Sequence, residues 1–317
     1  MIIGTIAAIR FCFLSSCSSH TSRARNISTY TMIRMSLPFR ALGLGGGGVK
    51  GILHIGAILE LSKTQELFFP DGVYGVSVGA VIGRYVAFGL PFDNEGVSKL
   101  KQQFKLTNFV GNVDFESISQ SFSLKGMLTM DLFERMIVEL FESRGIDIRT
   151  KTLGDANMPL FIVSSNLTKG KPTIFSGNVP VLDALKCSCA IPGIFIPQIL
   201  YNQVYIDGDM FCPSIDKFMP FDNMLCISLK KRMSPTKFTA DTIENMSPLA
   251  YIHDIYTMLT QNFHNQVKSD KTVCLHFPEL HSMSDIDDFN VDDILAKAGS
   301  DLNRFLGAKG ILQKLAE

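Results

Sequence analysis

The sequence predicts an α/β protein built on a largely parallel sheet that is covered on both faces. Two observations carry this. Short apolar runs alternate along the chain with stretches whose apolar residues recur at helical spacing, the pattern of strands connected by helices. The composition is that of an ordinary globular chain: 317 residues, 46% hydrophobic and 19% charged. This length accommodates one large domain or two small ones.

The elements read in order. Arg40 to Leu44 is a short strand running into glycine, and Gly51 to Leu61 is helical, with Ile52, Ile55 and Leu59 in phase. Val73 to Val76 is a second strand, and Ser77 to Phe88 a second helix that stops at Gly89-Leu90-Pro91. Residues 92–128 show no clear period. Asp131 to Phe141 is an amphipathic helix, with Leu132, Phe133, Met136, Ile137 and Leu140 on one side. Leu160 to Ser164 reads as a buried strand beside Thr173 to Phe175, and Pro180 to Ser188 as a helix with Pro near its start. Val204 to Ile206, Met224 to Ser228 and Thr272 to Phe277 are further strands. Pro248 to Asp270 and Leu302 to Leu315 are helices.

Charge and cysteine usage narrow the function classes. Thirty basic residues balance thirty acidic ones, so no basic excess points to nucleic acid. Seven cysteines, an odd number without regular spacing, fit a reduced intracellular protein, cytoplasmic or peripheral to a membrane. Cys187 and Cys189 lack the second ligand pair a zinc site needs, so no metal site is expected there; no cofactor is expected either. Residues 1–38 form a separate basic leader: the first forty residues hold five Arg, and the first acid is Glu60. That composition fits a mitochondrial transit peptide. It also fits a disordered leader, or a true start at Met32 or Met35. The apolar stretch Ile2 to Leu14 is shorter than the roughly 20 residues a membrane span takes. The folded domain is expected over residues 39–317.

Two glycine motifs carry the chemistry. Gly75-Val76-Ser77-Val78-Gly79 is a G-x-S-x-G sequence between a strand and a helix. Such an elbow lifts a serine hydroxyl above the sheet while the glycines remove colliding side chains. Taken alone, the motif leaves two readings open, a nucleophile or a serine that simply caps the helix. Gly45-Gly46-Gly47-Gly48-Val49-Lys50-Gly51 joins the first strand to its helix and exposes backbone amides, as an oxyanion hole or a phosphate cradle requires. A P-loop needs Gly-Lys-Ser/Thr, and here Val49 precedes Lys50 and Gly51 follows it. A dinucleotide fold needs an acid after the second strand, whereas Asp71 precedes it.

Together these motifs resemble the patatin-like phospholipase family, which joins a G-G-G-x-R/K-G oxyanion loop to a G-x-S-x-G elbow. Gly46 to Gly51 and Gly75 to Gly79 are the corresponding blocks. The helix from Lys50 to Gly56, the segment Ser165 to Gly170 with Phe175, the block Ser188 to Pro197 and the Asp-Gly pair Asp207-Gly208 are also similar, all within 39–228. The resemblance implies a three-layer α/β/α patatin-like fold. It implies a lipid acyl hydrolase acting on phospholipids or related lipids at a membrane or micelle surface. Ser77 is then the nucleophile, Asp207 the general base, and Gly46, Gly47 and Gly48 the oxyanion hole, supported by Lys50, Gly51, Gly75, Gly79 and Gly208. Family members usually carry Gly or Ala after Asp-Gly. Here Asp209 stands there, close enough to raise the pKa of Asp207 by like-charge repulsion. Two alternatives remain: a Ser–Asp–His esterase using His276 or His281, in the chain order of ordinary α/β-hydrolases, and a lipid-binding or scaffolding protein of the same fold without turnover. His54 reads as structural. Ile194, Phe195 and Ile196 are either core or an apolar lip for acyl chains.

Overall fold

The computed structural model describes residues 37–103, 125–212, 214–229, 269–277, 280 and 289–314, together with 244, 246, 251, 252, 255, 256 and 258–260. The leader, except for its last two residues, and His281 lie outside them.

The strands and helices alternate as the apolar pattern predicts. They are β1 (Ala41–Leu44), α1 (Ile52–Leu61), β2 (Gly72–Val76), α2 (Val78–Ala87), α3 (Asn94–Gln103), β3 (Gly126–Leu128), α4 (Asp131–Glu142), β4 (Leu160–Asn166), β5 (Lys171–Phe175) and α5 (Val181–Cys189). Then follow β6 (Gly193–Phe195), β7 (Gln198–Leu200), β8 (Gln203–Ile206), β9 (Met224–Leu229), β10 (Thr272–Leu275), α6 (Val291–Ala308) and α7 (Ile311–Lys314). The main sheet runs β10-β9-β1-β2-β4-β8-β7, with β5 also on β4. Its first five strands are mutually parallel, and β5, β8 and β7 join antiparallel. The fold is therefore α/β around a largely parallel sheet.

Both faces of the central strands are buried, which is why those strands read as near-continuous apolar runs. Leu42, Leu44, Val73, Leu225 and Ile227 point into the larger core, shared with α1, α2, α4, α5 and α6. Ala41, Tyr74, Val76, Val163 and Cys226 point to the other face, where Cys212, Ile215 and Met219 cover them. Among the described residues this second covering is a short 3-10 turn, Ile215–Phe218, rather than a long helix. It sits so close that a Cβ on Gly43 would lie 2.6 Å from the Met219 sulfur.

Five elements depart from the sequence reading: α3, β3, β6 and β7, which it lacks, and α6, which starts earlier. α3 and the short strand β3 emerge from the region that showed no period. The last long helix begins at Val291, well before Leu302, and Asn290 caps it by accepting from the Asp292 amide at 3.0 Å. The predicted 248–270 helix is described only in part, with helical residues between 251 and 260. Arg84 of α2 is fully buried, with its guanidinium 4.7 Å from the Phe141 ring centroid. Burial lowers its pKa to about 9.

α1 and α6 pack through Gly56. A Cβ there would lie 2.8 Å from the Leu295 Cα, a backbone atom that cannot turn aside. Gly56→Ala is therefore expected to destabilise the fold by about 1–3 kcal/mol, the usual range for overpacking. Urea unfolding of the two proteins measures it, and an unchanged midpoint would mean that the helices separate freely.

Candidate active site

The register of β4 brings the sequence-predicted pair together. On one edge, β4 pairs with β5 over Ile162–Asn166. On the other, β2 runs parallel as far as Val76 opposite Val163, and β8 runs antiparallel with Ile206 opposite Ser165. The two strands thus approach each other end to end along one edge of β4. The next residue of each, Ser77 and Asp207, arrives beside Ser164. Ser164 Oγ donates to Cys187 O at 2.7 Å and lies 3.1 Å from Ile206 O, tying the junction to α5 and β8.

Ser77 turns sharply out of β2. Its φ of 52° and ψ of −127° are sparsely populated for a residue with a side chain, and α2 begins at the next residue. Strain of this kind persists only where surrounding contacts impose it. Here the Ser77 amide donates to Ser188 Oγ at 2.9 Å, and Ser188 in turn donates to Val163 O at 2.6 Å. Gly79 sits against the Leu44 carbonyl, where a Cβ would collide, and one on Gly75 would lie 2.5 Å from Ala80 Cα. The motif glycines are thus required by close backbone approach. The same holds at Gly208, whose Cα faces the Val163 carbonyl.

Ser77 Oγ donates to Asp207 Oδ2 at 2.6 Å. The other carboxylate oxygen, Oδ1, accepts from the Asp209 amide at 2.9 Å and from the Tyr256 hydroxyl at 2.8 Å. Asp207 is completely buried, and its pKa is pushed up to about 7, first by burial and then by the Asp209 charge; the three hydrogen bonds pull it back in part. Asp209 is itself buried, with its carboxylate against the Cα of Gly46, where a Cβ would collide.

The glycine loop lies at the end of β1. Gly45 donates to Ile227 O at 2.9 Å, and Gly48–Gly51, including the half-buried Lys50, forms a 3-10 turn leading into α1. His54 fixes the loop from below. Its Nε2 lies 2.8 Å from Gly45 O, and burial lowers its pKa to about 4, so the neutral ring donates to that carbonyl. Gly48 and Ser77 open into a pocket of about 450 Å³ measured out to solvent, walled by Val49, Val78, Val81, Phe133, Ile191 and Phe195. Of the predicted lip, Ile194 is core and Phe195 is pocket wall. His276 follows β10, three strands from β2 in the sheet order. At about 4.8 Å per strand, its backbone is roughly 14 Å away from the elbow.

Sequence reasoning missed Ser188 as an elbow tether and Tyr256 as an Asp207 ligand. Ser188 opens the family-like block Ser188 to Pro197, which is the signal that could have found it. Tyr256 lies in no motif.

The fold and this constellation define an α/β protein with a buried, hydrogen-bonded serine–aspartate pair at a strained strand-to-helix turn. The family model for patatin-like phospholipases matches residues 42–211, more than half of the chain, and the chain belongs to that family. It is 26% identical over 178 residues to an uncharacterized NTE family protein of Mycobacterium tuberculosis, covering 56% of this chain and 44% of that one. It is 26% identical over 182 residues to a cUMP-AMP-activated phospholipase of Escherichia coli, covering 51% and 50%. A probable lipid hydrolase of invertebrate iridescent virus 6 is 25% identical over 184 residues, covering 55% and 60%. The chain thus spans about half the length of the curated relatives it matches. Among solved structures, VipD from Legionella pneumophila aligns with a TM-score of 0.45 at 15% identity, over 86% of this chain and 67% of that one.

Replacing Asp209 by Asn removes the like charge beside Asp207 while keeping the amide donor. With less repulsion the ionised form is favoured, so the Asp207 titration is expected to move down in pH. Carbon-13 NMR of the Asp207 carboxyl measures the midpoint in both proteins. An unmoved midpoint would mean that burial alone sets it.

Proposed function

We propose that this protein is a lipid acyl hydrolase in which Ser77 is the nucleophile and Asp207 the general base. The observation that carries the reading is the 2.6 Å hydrogen bond from Ser77 Oγ to Asp207 Oδ2 at a strained elbow that opens into an apolar pocket. The family and the phospholipase and lipid hydrolase names of its relatives support an acyl ester of a phospholipid or related lipid as substrate.

In this mechanism Ser77 Oγ attacks the ester carbonyl as its proton passes to Asp207 Oδ2. The carbonyl oxygen becomes an oxyanion facing the amides of Gly46 to Gly48. Collapse breaks the ester bond, Asp207 returns the proton to the departing alcohol, and an acyl-enzyme remains. Water then gives a proton to Asp207 and attacks the acyl carbon, and the fatty acid leaves as Ser77 regains its proton. The acyl chain lies along Val49, Val78, Val81 and Phe133 throughout.

An ordinary carboxylate, with a pKa near roughly 4, is a poor base for an alcohol. Burial and Asp209 raise Asp207 to about 7, and a base poised near the working pH is the effective one. A triad through His276 draws no support from the sheet order, which sets that residue after the edge strand β10, three strands from β2; His281 lies outside the described residues.

No helix among the described residues is long and apolar enough to cross a membrane.

Ser77→Ala is expected to abolish hydrolysis of a short acyl ester and labelling by a fluorophosphonate, with an unchanged thermal midpoint. Residual turnover within tenfold of the parent would remove Ser77 from the nucleophile role. A protein that binds phospholipid vesicles but takes no fluorophosphonate would be the lipid-binding alternative.

Gly47→Ala separates the loop's roles. A Cβ there would lie 2.8 Å from Leu229 Cδ1, so the loop must shift slightly. Loss of alignment with an oxyanion that exists only beyond the ground state is expected to lower kcat by about tenfold or more, with KM little changed. Steady-state kinetics decide it. A raised KM at constant kcat would make the loop a uniform binding element instead.

A further inference from the structure

Asp207 needs more than the elbow to serve as a base. A carboxylate can rotate about its own axis, and only one oxygen faces Ser77. Oδ2 receives the Ser77 hydroxyl, and Oδ1 is held by two donors of different origin. The Asp209 amide belongs to the same turn. The Tyr256 hydroxyl comes from the helical residues between 251 and 260, beyond residue 211 where the family match ends.

We propose that Tyr256 is a positioning residue for Asp207, completing a Ser77–Asp207–Tyr256 chain with a member supplied from outside the family-matched segment. This rests on the hydrolase reading above.

Three features show a built contact. Tyr256 is buried and belongs to the main core. One turn earlier, Ile252 packs on Gly193, where a Cβ would lie 2.8 Å from Ile252 Cγ2. One turn later, the buried Thr260 Oγ1 donates to Tyr256 O at 3.1 Å. Ile252, Tyr256 and Thr260 recur at four-residue spacing, the inward face of a helix. The phenol stays protonated, because burial and then the Asp207 charge push its pKa well above the usual value.

The ionisable groups facing Asp207 are Asp209 on its own turn, Cys189 at the end of α5 and Tyr256, with the Ser77 hydroxyl on the elbow. Asp209 disfavours the charged carboxylate, and Tyr256 favours it. The two neighbours therefore act in opposite directions. Removing the phenol hydroxyl should move the Asp207 titration up in pH, opposite to the Asp209→Asn shift.

The test is Tyr256→Phe, which keeps the ring and its packing. The rate of fluorophosphonate labelling and of ester hydrolysis is measured across pH for this variant and the parent. A hydrogen bond to a charged group contributes enough that kcat is expected to fall about ten- to a hundredfold. KM should be unchanged and the acidic limb should move to higher pH. A loss that came only from weakened packing would lower the thermal midpoint and leave the acidic limb where it was. That result overturns the proposal, as does a parent-like rate at every pH. If the parent itself takes no fluorophosphonate and hydrolyses no ester, the hydrolase reading fails. Carbon-13 titration of Asp207 then decides the positioning role alone: an upward shift in Tyr256→Phe upholds it, and an unmoved midpoint ends it.

Discussion

The site depends on one constraint, the meeting of two opposed strands on a single edge of β4. β2 ends at Val76 opposite Val163, and β8 ends at Ile206 opposite Ser165. Only one position on β4 lies between them. Strand ends are where backbone direction changes, so each strand delivers its next side chain into the gap. The short distance between Ser77 and Asp207 thus follows from sheet register rather than from flexible loops. Positions held by register are precise, as the proposed proton transfer over one hydrogen bond requires.

That placement carries an electrostatic penalty that the surroundings partly offset. Burying a lone carboxylate is unfavourable, and a second carboxylate two residues away adds to it. Ser77, the Asp209 amide and Tyr256 each donate to Asp207 and oppose the rise. The balance leaves its pKa near 7 rather than in the usual carboxylate range. For the proposed base, burial and Asp209 push the group up and the three donors pull it back in part.

What was legible in the sequence follows the same physics. β1, β2, β4 and β9 were visible because burial on both faces demands unbroken apolar runs. The glycine loop and elbow were visible because close approach admits only glycine, of the Asp209 carboxylate at Gly46 and of backbone at Gly75 and Gly79. Asp207 was legible through the glycine after it, which faces the Val163 carbonyl. The true start of α6 was obscured because Gly299 interrupts its helical pattern. That glycine lies against α1, where a Cβ would lie 3.5 Å from Gly56 O, so tertiary packing overrode local propensity. β6 and β7 are three residues each, too short to show a period. Tyr256 could not be read at all. Its role depends on a contact across 49 residues of chain, and an aromatic residue at helical spacing looks like any core position.

Asp209 links the two halves of the proposed machinery. Its amide holds Asp207, its charge raises the Asp207 pKa, and its carboxylate rests on Gly46. In the proposed reaction these contacts act with opposite sign. A negative charge beside Asp207 strengthens the base and favours removal of the Ser77 proton. The same charge against the glycine loop opposes the oxyanion that forms there. Both effects operate in one buried region, so both are amplified by the low dielectric. They fall at different points along the reaction, however. Proton transfer to Asp207 neutralises one of the two adjacent carboxylates as the oxyanion appears, so the total negative charge of the site is conserved rather than increased. The negative charge moves from Asp207 to the carbonyl oxygen, next to amides that can bind it. A second carboxylate is therefore compatible with an oxyanion site to the extent that Asp207 gives up its own charge in the same step.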